Sequence, residues 1–458
     1  MKRVHLLFLP ALLSSIGISS TCAAGGTVSW QCTTNQSPWV DKGQIPTTAP
    51  TGDKTLHIEV NHNDKLQEIT AWGGCFNEKG WDALQALSEE DRQGVLKSLF
   101  DPQTGLRLNF CRTPIGASDF AMSPYSLDDA DTDDYSIAHF SIDRDKERLI
   151  PYIKAALALN PDLKLWAVPW SPPGWMKTSH NVIGGSINAD PEVLDALALY
   201  FEKYVQAYQA EGIPLVMVMP QNEPTQNTNY PSCLWKGTQL QTFIRDHLGP
   251  KFKADAVKCD IWLGTFTNSD YSYVGPTVDD PQTLAFVKGA SFQWTGNKAC
   301  ARVHKDHPDV PLMQSETICG NGHNDWKYAE SQFDLIKTYM DAGVSSYMLW
   351  NMVLDEAGRS TGNWVQCAPI TVNKSTKAIT YNPQYYIFKH FSYYVRPGAH
   401  YLAVTGNYGD KAAFLNSDGE EILEVKNSST QDLKVSITFD GEEIDPILPA
   451  HSVSTFHK

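Results

Sequence analysis

Two segments of the chain end an apolar run on a carboxylic acid. Leu215-Val216-Met217-Val218-Met219-Pro220-Gln221-Asn222-Glu223-Pro224 passes from apolar residues to an amide and then an acid, and Pro311-Leu312-Met313-Gln314-Ser315-Glu316 closes in the same way. A charged group at the inner end of a buried strand is costly unless it is paired or used. Taken singly, either glutamate reads as a helix cap or an ion-pair partner. Taken together, at matching strand ends, they read as two carboxyls facing one cleft. Such a pair can divide the work of breaking a glycosidic bond: an acid of raised pKa protonates the leaving oxygen, while a carboxylate attacks the anomeric carbon. A gap of about 5–5.5 Å between them goes with retention, a wider one with inversion.

Such a pair needs a scaffold that brings distant strand ends together. Between about residues 69 and 390, short apolar runs alternate with longer segments of helical periodicity, the pattern of β/α units and a parallel sheet. The runs cover 69–76, 106–115, 163–171, 215–224, 261–267, 287–294, 311–316 and 347–354, with helical stretches at 89–100, 143–159, 191–211, 239–247 and 325–342. Eight such strands predict a (β/α)8 TIM barrel, an α/β fold whose active site lies at the C-terminal strand ends. Glu223 then ends the fourth strand and Glu316 the seventh. The last helix, within 381–394, is the least clear because it is dense in aromatics. From residue 401 the period changes to two, in runs at 401–405, 412–415, 422–426 and 433–439 punctuated by Gly409-Asp410, Asp418-Gly419 and Asp440-Gly441. Residues 55–60 alternate similarly, so N-terminal strands are expected to join the C-terminus in an antiparallel β-sandwich side domain. The expected division is a signal segment over 1–24, side-domain strands within 25–68, the barrel over 69–395 and the rest of the side domain over 396–458.

The signal segment rests on Met1-Lys2-Arg3, an apolar stretch from Leu6 to Ile18 and the small residues Ser19-Ser20-Thr21-Cys22-Ala23-Ala24. A secreted or periplasmic protein is therefore expected, without stable membrane insertion. With 37 basic against 52 acidic residues the 458-residue chain carries a net charge of -15, which disfavours nucleic acid and anionic membranes as partners. The eight cysteines beyond Cys22 permit disulfides without fixing a connectivity, and none is spaced as a CxxC zinc site. The acidic run Asp128, Asp129, Asp131, Asp133 and Asp134 reads as a solvated loop, with a calcium site as the alternative. His304 and His307 form an HxxH pair on a helix surface with no third ligand in view.

Beyond the two glutamates, a longer set of motifs resembles the retaining glycosidases of glycoside hydrolase family 30. The pieces are Trp72-Gly73-Gly74, Arg112-Thr113-Pro114-Ile115-Gly116-Ala117-Ser118-Asp119-Phe120, and Pro169-Trp170-Ser171-Pro172-Pro173-Gly174-Trp175-Met176-Lys177. Gln221-Asn222-Glu223-Pro224, Ser315-Glu316, Leu349-Trp350-Asn351 and Asn363-Trp364-Val365 complete the set. The resemblance implies that Glu223 is the acid/base, Glu316 the nucleophile and Asn222 a ligand of the sugar 2-hydroxyl. It also implies that Asp119, Trp170, Trp350 and Asn363 hold the sugar and that Arg112 keeps the nucleophile ionised. Where glucosylceramidase-like members carry His-Trp-Tyr, this chain has Gln293-Trp294-Thr295, so an amide and a hydroxyl are expected beside the nucleophile.

The function implied is hydrolysis of β-linked glucosides without a cofactor or a catalytic metal, the carboxyl pair supplying both proton transfer and attack. An exo-acting β-glucosidase or glucosylceramidase-like enzyme competes with an endo-β-1,6-glucanase, and β-xylosidase and β-fucosidase members also exist. Two other classes are a non-catalytic carbohydrate-binding barrel, which the presence of both acids disfavours, and a metal-dependent hydrolase, for which no ligand constellation is visible. Trp170, Trp175, Trp235 and Trp294 are expected as stacking platforms around the cleft. Oligomeric state is open.

Overall fold

The computed structural model describes residues 26–51, 55–130 and 132–458. The expected signal segment over 1–24 and Asp131 lie outside the described residues. Eight parallel strands close a barrel in chain order: β1 (Ala71–Cys75), β2 (Phe110–Ile115), β3 (Lys164–Pro169), β4 (Leu215–Val218), β5 (Asp260–Phe266), β6 (Val287–Gln293), β7 (Leu312–Glu316) and β8 (Ser346–Asn351). The ring shuts where β8 pairs with β1, Ser346 opposite Ala71. Gly73 permits the approach of β2, since a Cβ there would lie 1.8 Å from the Phe110 carbonyl oxygen. The aromatic-dense segment forms the helix Pro383–Tyr394. Its Phe388 and Phe391 pack on Trp72 at 5.8 and 6.0 Å, and the Trp72 indole donates to the Val395 carbonyl.

Three strands differ from the sequence pattern. β2 starts at Phe110 rather than residue 106. β8 stops at Asn351, and Val353–Asp355 turns outward to pair with Ile370–Val372 in a separate small sheet. β4 covers only Leu215–Val218, because the apolar run continues into Pro220, which has no N–H for the ladder. The chain beyond it is a loop still tied to both neighbours. Met219 donates to Ala167, Asn222 to Pro169, and Thr265 to Gln221.

The side domain is a sandwich assembled from both ends of the chain. One sheet orders Val40–Pro46, Thr27–Thr34, Ser452–His457, Glu421–Asn427, Lys411–Leu415, Ala399–Leu402 and Lys65–Ile69; a second orders Glu442–Ile444, Ser436–Phe439 and His57–Val60. Val28, Ile58, Leu423, Val425, Ile437 and Phe456 fill the space between them. The sandwich is not wholly antiparallel as expected: His57–Val60 lies parallel to Ser436–Phe439, since the two come from opposite ends of the chain rather than from one hairpin.

The two domains meet across a buried polar group. His390, on the last barrel helix, bonds Thr33 at 2.8 Å and Thr455 at 2.6 Å, and Thr455 donates to Glu424 at 2.7 Å. Burial holds both ionisable groups neutral. It drives His390 down to about 3, helped by nearby Lys389, and it drives Glu424 well above the usual carboxylate range against the Thr455 hydrogen bond. Glu424 keeps its proton in the fold while the unfolded chain ionises, so its burial costs more as pH rises above the ordinary carboxylate range. His390 has the opposite slope, its burial costing more as pH falls below about 6.5. Glu424→Gln is therefore expected to raise Tm by a few degrees near pH 8 and by less toward about pH 5, measured by calorimetry. A gain that does not vary with pH would mean that Glu424 is ionised in the fold.

Candidate active site

Arg112, in the middle of β2, is fully buried. Its Nη1 donates to Glu316 Oε2 at 2.6 Å and its Nη2 to Asn222 Oδ1 at 2.5 Å. Trp166, Trp170 and Trp350 enclose the guanidinium, with ring centroids 5.1, 4.2 and 5.4 Å from its carbon. Trp170 and Trp350 stack on each other at 5.1 Å. β2 contributes the cation and β7 the anion from separate sides of the barrel, and the indoles exclude water from both.

The two glutamates have different surroundings. Glu316 ends β7 and receives, besides Arg112, the Trp294 indole N–H at 3.1 Å and the Cys319 thiol at 3.7 Å. Burial pushes its carboxyl up, opposed by Arg112 and then by these donors. Glu223 lies five residues past the end of β4 at φ 49°, a left-handed conformation that a non-glycine residue adopts only when held there. Its N–H donates to Thr265 Oγ1 at 3.2 Å, and its carboxyl meets one amide, Gln293 Nε2 at 2.9 Å. Burial, then the charges of Glu316 and Asp119, push Glu223 up to about 8. The cation in direct contact with Glu316 favours charge there, and Glu223 holds the proton.

Asn222 is oriented from below. Its Oδ1 accepts from both Arg112 and Thr265 Oγ1, the latter at 2.9 Å, so its NH2 is the end left to donate into the cleft. Asp119 ends a relay of amides: Asn77 donates to Asn351 at 3.1 Å, Asn351 to Gln366 at 2.9 Å, and Gln366 to Asp119 at 3.3 Å. Burial and then the Glu316 charge push Asp119 up to about 7.

The structure thus gathers Arg112, Asp119, Trp170, Asn222, Glu223, Gln293, Trp294, Glu316 and Trp350 in one place. Asn363 is not held against the carboxylates. It sits exposed at φ 68°, with Oδ1 accepting from Arg359 at 2.8 Å, while its neighbour Trp364 meets Trp294 edge-on at 5.7 Å. Gln293 was expected beside the nucleophile but bonds the other glutamate, because its side chain crosses to the β4 loop; Ser315 Oγ donates to its Oε1 at 3.0 Å. Thr295 donates to the Thr267 carbonyl and contacts neither acid.

Trp175 and Trp235 are structural rather than platforms. Trp175 is buried and donates to Asp128, and Trp235 donates to Gln221. Asp128 and Asp134 are buried too, so the acidic run is not simply solvated. His304 and His307 belong to no three-donor group among the described residues, and His307 bonds Asp279. The eight described cysteines are free thiols. Sequence reasoning missed Thr265, Cys319, Gln366 and Tyr230, the last pushed up by burial and by Glu223 close by. Only Thr265 carried a signal, as a polar residue inside the apolar run 261–267. Cavity size is no guide here: a space of about 980 Å³ lies at the opposite barrel end, lined by Ala71, Phe110, Met217 and Trp262.

The sequence model of the glycosyl hydrolase family 30 TIM-barrel domain matches residues 69–395. Putative glucosylceramidase 3 of Caenorhabditis elegans is 29% identical over 427 residues, 87% of this chain and 81% of its own. The crystal structure of SrfJ from Salmonella typhimurium is similar with TM-score 0.88 at 25% identity, over 94% of this chain and 99% of that one. The endo-β1,6-glucanase BT3312 is similar with TM-score 0.83 at 25% identity, over 94% and 98%.

Gln293 donates its side-chain hydrogen bond to the Glu223 carboxyl, and a donor there favours the ionised form. Gln293→Leu is expected to move the alkaline limb of kcat/KM to higher pH and to lower the plateau by about 10–100-fold, the value of one hydrogen bond to a group that becomes charged. A pH–rate profile of the two proteins decides it; an unmoved alkaline limb would mean that Glu223 does not set it.

Proposed function

The chain belongs to glycosyl hydrolase family 30, whose members are retaining O-glycosyl hydrolases, and on that premise we propose that it is an exported β-glycosidase acting on β-linked glucosides by double displacement. The observation that carries the mechanism is the unequal treatment of the two acids: Arg112 and Trp294 on Glu316, a single amide on Glu223. In this reading Glu316 attacks the anomeric carbon while Glu223 gives its proton to the leaving oxygen. Once Glu316 is esterified its negative charge is gone and the Glu223 pKa falls. The same group then takes a proton from the water that releases the sugar. The Asn222 NH2 donates to the 2-hydroxyl, a contact that tightens as the ring flattens and contributes several kcal/mol in the transition state, by order of magnitude. Asp119, held by Gln366, and the faces of Trp170, Trp294 and Trp350 bound the deepest subsite. Export is supported by the basic, apolar and small-residue order of the first 24 residues.

For the substrate, a soluble glucoside or gluco-oligosaccharide is the reading we adopt. Lifting a lipid glycoside from a membrane calls for an apolar or basic surface near the mouth, and the chain carries -15 with no basic amphipathic segment. Gln293 and Thr295, where glucosylceramidase-like relatives carry His and Tyr, support the same choice. Endo-acting β-1,6-glucan hydrolysis is the second reading, favoured by the likeness to BT3312 over nearly the whole of both chains.

A 2-deoxy-2-fluoro activated glucoside is expected to label a peptide containing Glu316. Glu223→Ala should slow substrates with poor leaving groups by about 10²–10⁴-fold while sparing those whose leaving group needs no proton. Labelling at another residue, or an equal loss on both substrate types, contradicts the assignment.

Soluble β-glucosides or β-1,6-linked gluco-oligosaccharides are expected to show higher kcat/KM than detergent-dispersed glucosylceramide. Measuring both side by side decides the substrate class, and a preference for the ceramide would reject it.

A further inference from the structure

The side domain gathers three metal-ligating side chains that are far apart in sequence. His62 lies in the turn between His57–Val60 and Lys65–Ile69, Asp440 in the turn between Ser436–Phe439 and Glu442–Ile444, and Glu421 opens the strand Glu421–Asn427 of the other sheet. One donor atom of each lies within 4.8 Å of the other two. His62 Nδ1 contacts Asp440 Oδ2, and the His62 backbone N–H donates to Asp440 Oδ1 at 3.3 Å. Both imidazole and carboxylate are reachable from solvent, with side chains 47% and 29% exposed. Glu421 is different. It is only 6% exposed, and its Oε1 is buried without a hydrogen-bond partner. The charge of Lys458 reaches Glu421, but its ammonium is bonded to Glu442 at 2.8 Å.

A buried carboxylate with an undonated oxygen, set beside a second carboxylate and an imidazole, is in need of positive charge. We propose that His62, Glu421 and Asp440 form a divalent metal site that fastens the two sheets of the side domain together. The donor set is one imidazole nitrogen and two carboxylate oxygens, which suits zinc and similar transition ions better than magnesium or calcium. Ligands about 2.0–2.2 Å from one ion stand roughly 3.3 Å apart, so Glu421 has to approach the other two by about 1.5 Å at most while His62 and Asp440, already in contact, separate to admit the ion. Two of the ligands lie on turns, where such a movement is easy. A metal at such a donor set competes with protons for the imidazole and the carboxylates, so its affinity falls as the solution is made acidic. A second group, Asp128, Asp134 and His139, is a weaker candidate. The Asp134 oxygens already accept from the Ser136 hydroxyl, the His139 backbone and the His139 ring.

The test uses the full chain without a polyhistidine tag, stripped with chelator and titrated calorimetrically with zinc chloride, with calcium chloride as comparison. One zinc per chain is expected, with a rise in Tm. Glu421→Gln and His62→Ala should each weaken zinc binding by about tenfold or more and abolish the Tm rise. His139→Ala should leave both unchanged, and hydrolysis of an aryl glucoside should not depend on the metal. Failure of the glycosidase reading would leave this result intact. Absence of saturable zinc binding, preference for calcium, or binding that survives both substitutions and is lost with His139→Ala overturns the proposal.

Discussion

The site depends on the Arg112 guanidinium, which is fully buried. A buried guanidinium is tolerable only where partners replace its hydration. Glu316 and Asn222 supply hydrogen bonds along two of its edges, and three indole faces supply the rest through their quadrupoles. The Nε–H has no hydrogen-bond partner, and a π face is the acceptor such a cage provides. This makes Trp170 and Trp350 part of the electrostatics of Glu316 before they are walls for a sugar. It also explains why a chain rich in tryptophan places them at strand ends, where the cation must be sealed.

Three carboxyls share the neighbourhood of that one cation. Asp119 and Glu223 are both raised, and each carries the Glu316 charge among its causes. The three therefore titrate as a linked set, in which proton loss from one raises the others. Arg112 breaks the symmetry by touching only Glu316. Without that contact the two glutamates, both deeply buried, would differ little, and neither would be committed to attack or to proton transfer.

Much of the barrel was legible because its strands are buried on both faces and read as continuous apolar runs between helical periods. The glutamates were legible because a charge ending such a run has few structural excuses. What failed was direction. Alternation along β6 says that Gln293 faces inward but not which neighbour its amide reaches, and the four residues between β4 and Glu223 were enough to carry the acid across to it. Trp175 and Trp235 misled because an indole reads the same from sequence whether its N–H meets solvent, Asp128 or Gln221. The His62, Glu421 and Asp440 group had no local pattern at all, since its members meet only when both chain ends fold into one sandwich.

The rim residues also show how a barrel holds a strained loop at a reacting bond. Glu223, Trp294 and Asn363 all adopt positive φ, at 49°, 54° and 68°, each on a connection beyond a barrel strand. A left-handed non-glycine residue costs on the order of 1–2 kcal/mol and needs tethers on either side. For Glu223 those tethers converge on one hydroxyl. Thr265 Oγ1 accepts the Glu223 N–H and donates to Asn222 Oδ1, and that oxygen also takes the Arg112 guanidinium that binds Glu316. A single threonine on β5 thus joins the backbone of the proton donor to the cation of the other acid. The spacing between the Glu223 backbone and the Glu316 carboxylate is set through four hydrogen bonds inside the barrel. That is the kind of preorganisation a two-carboxylate mechanism requires, since a displacement of about an ångström costs rate far more than it costs stability.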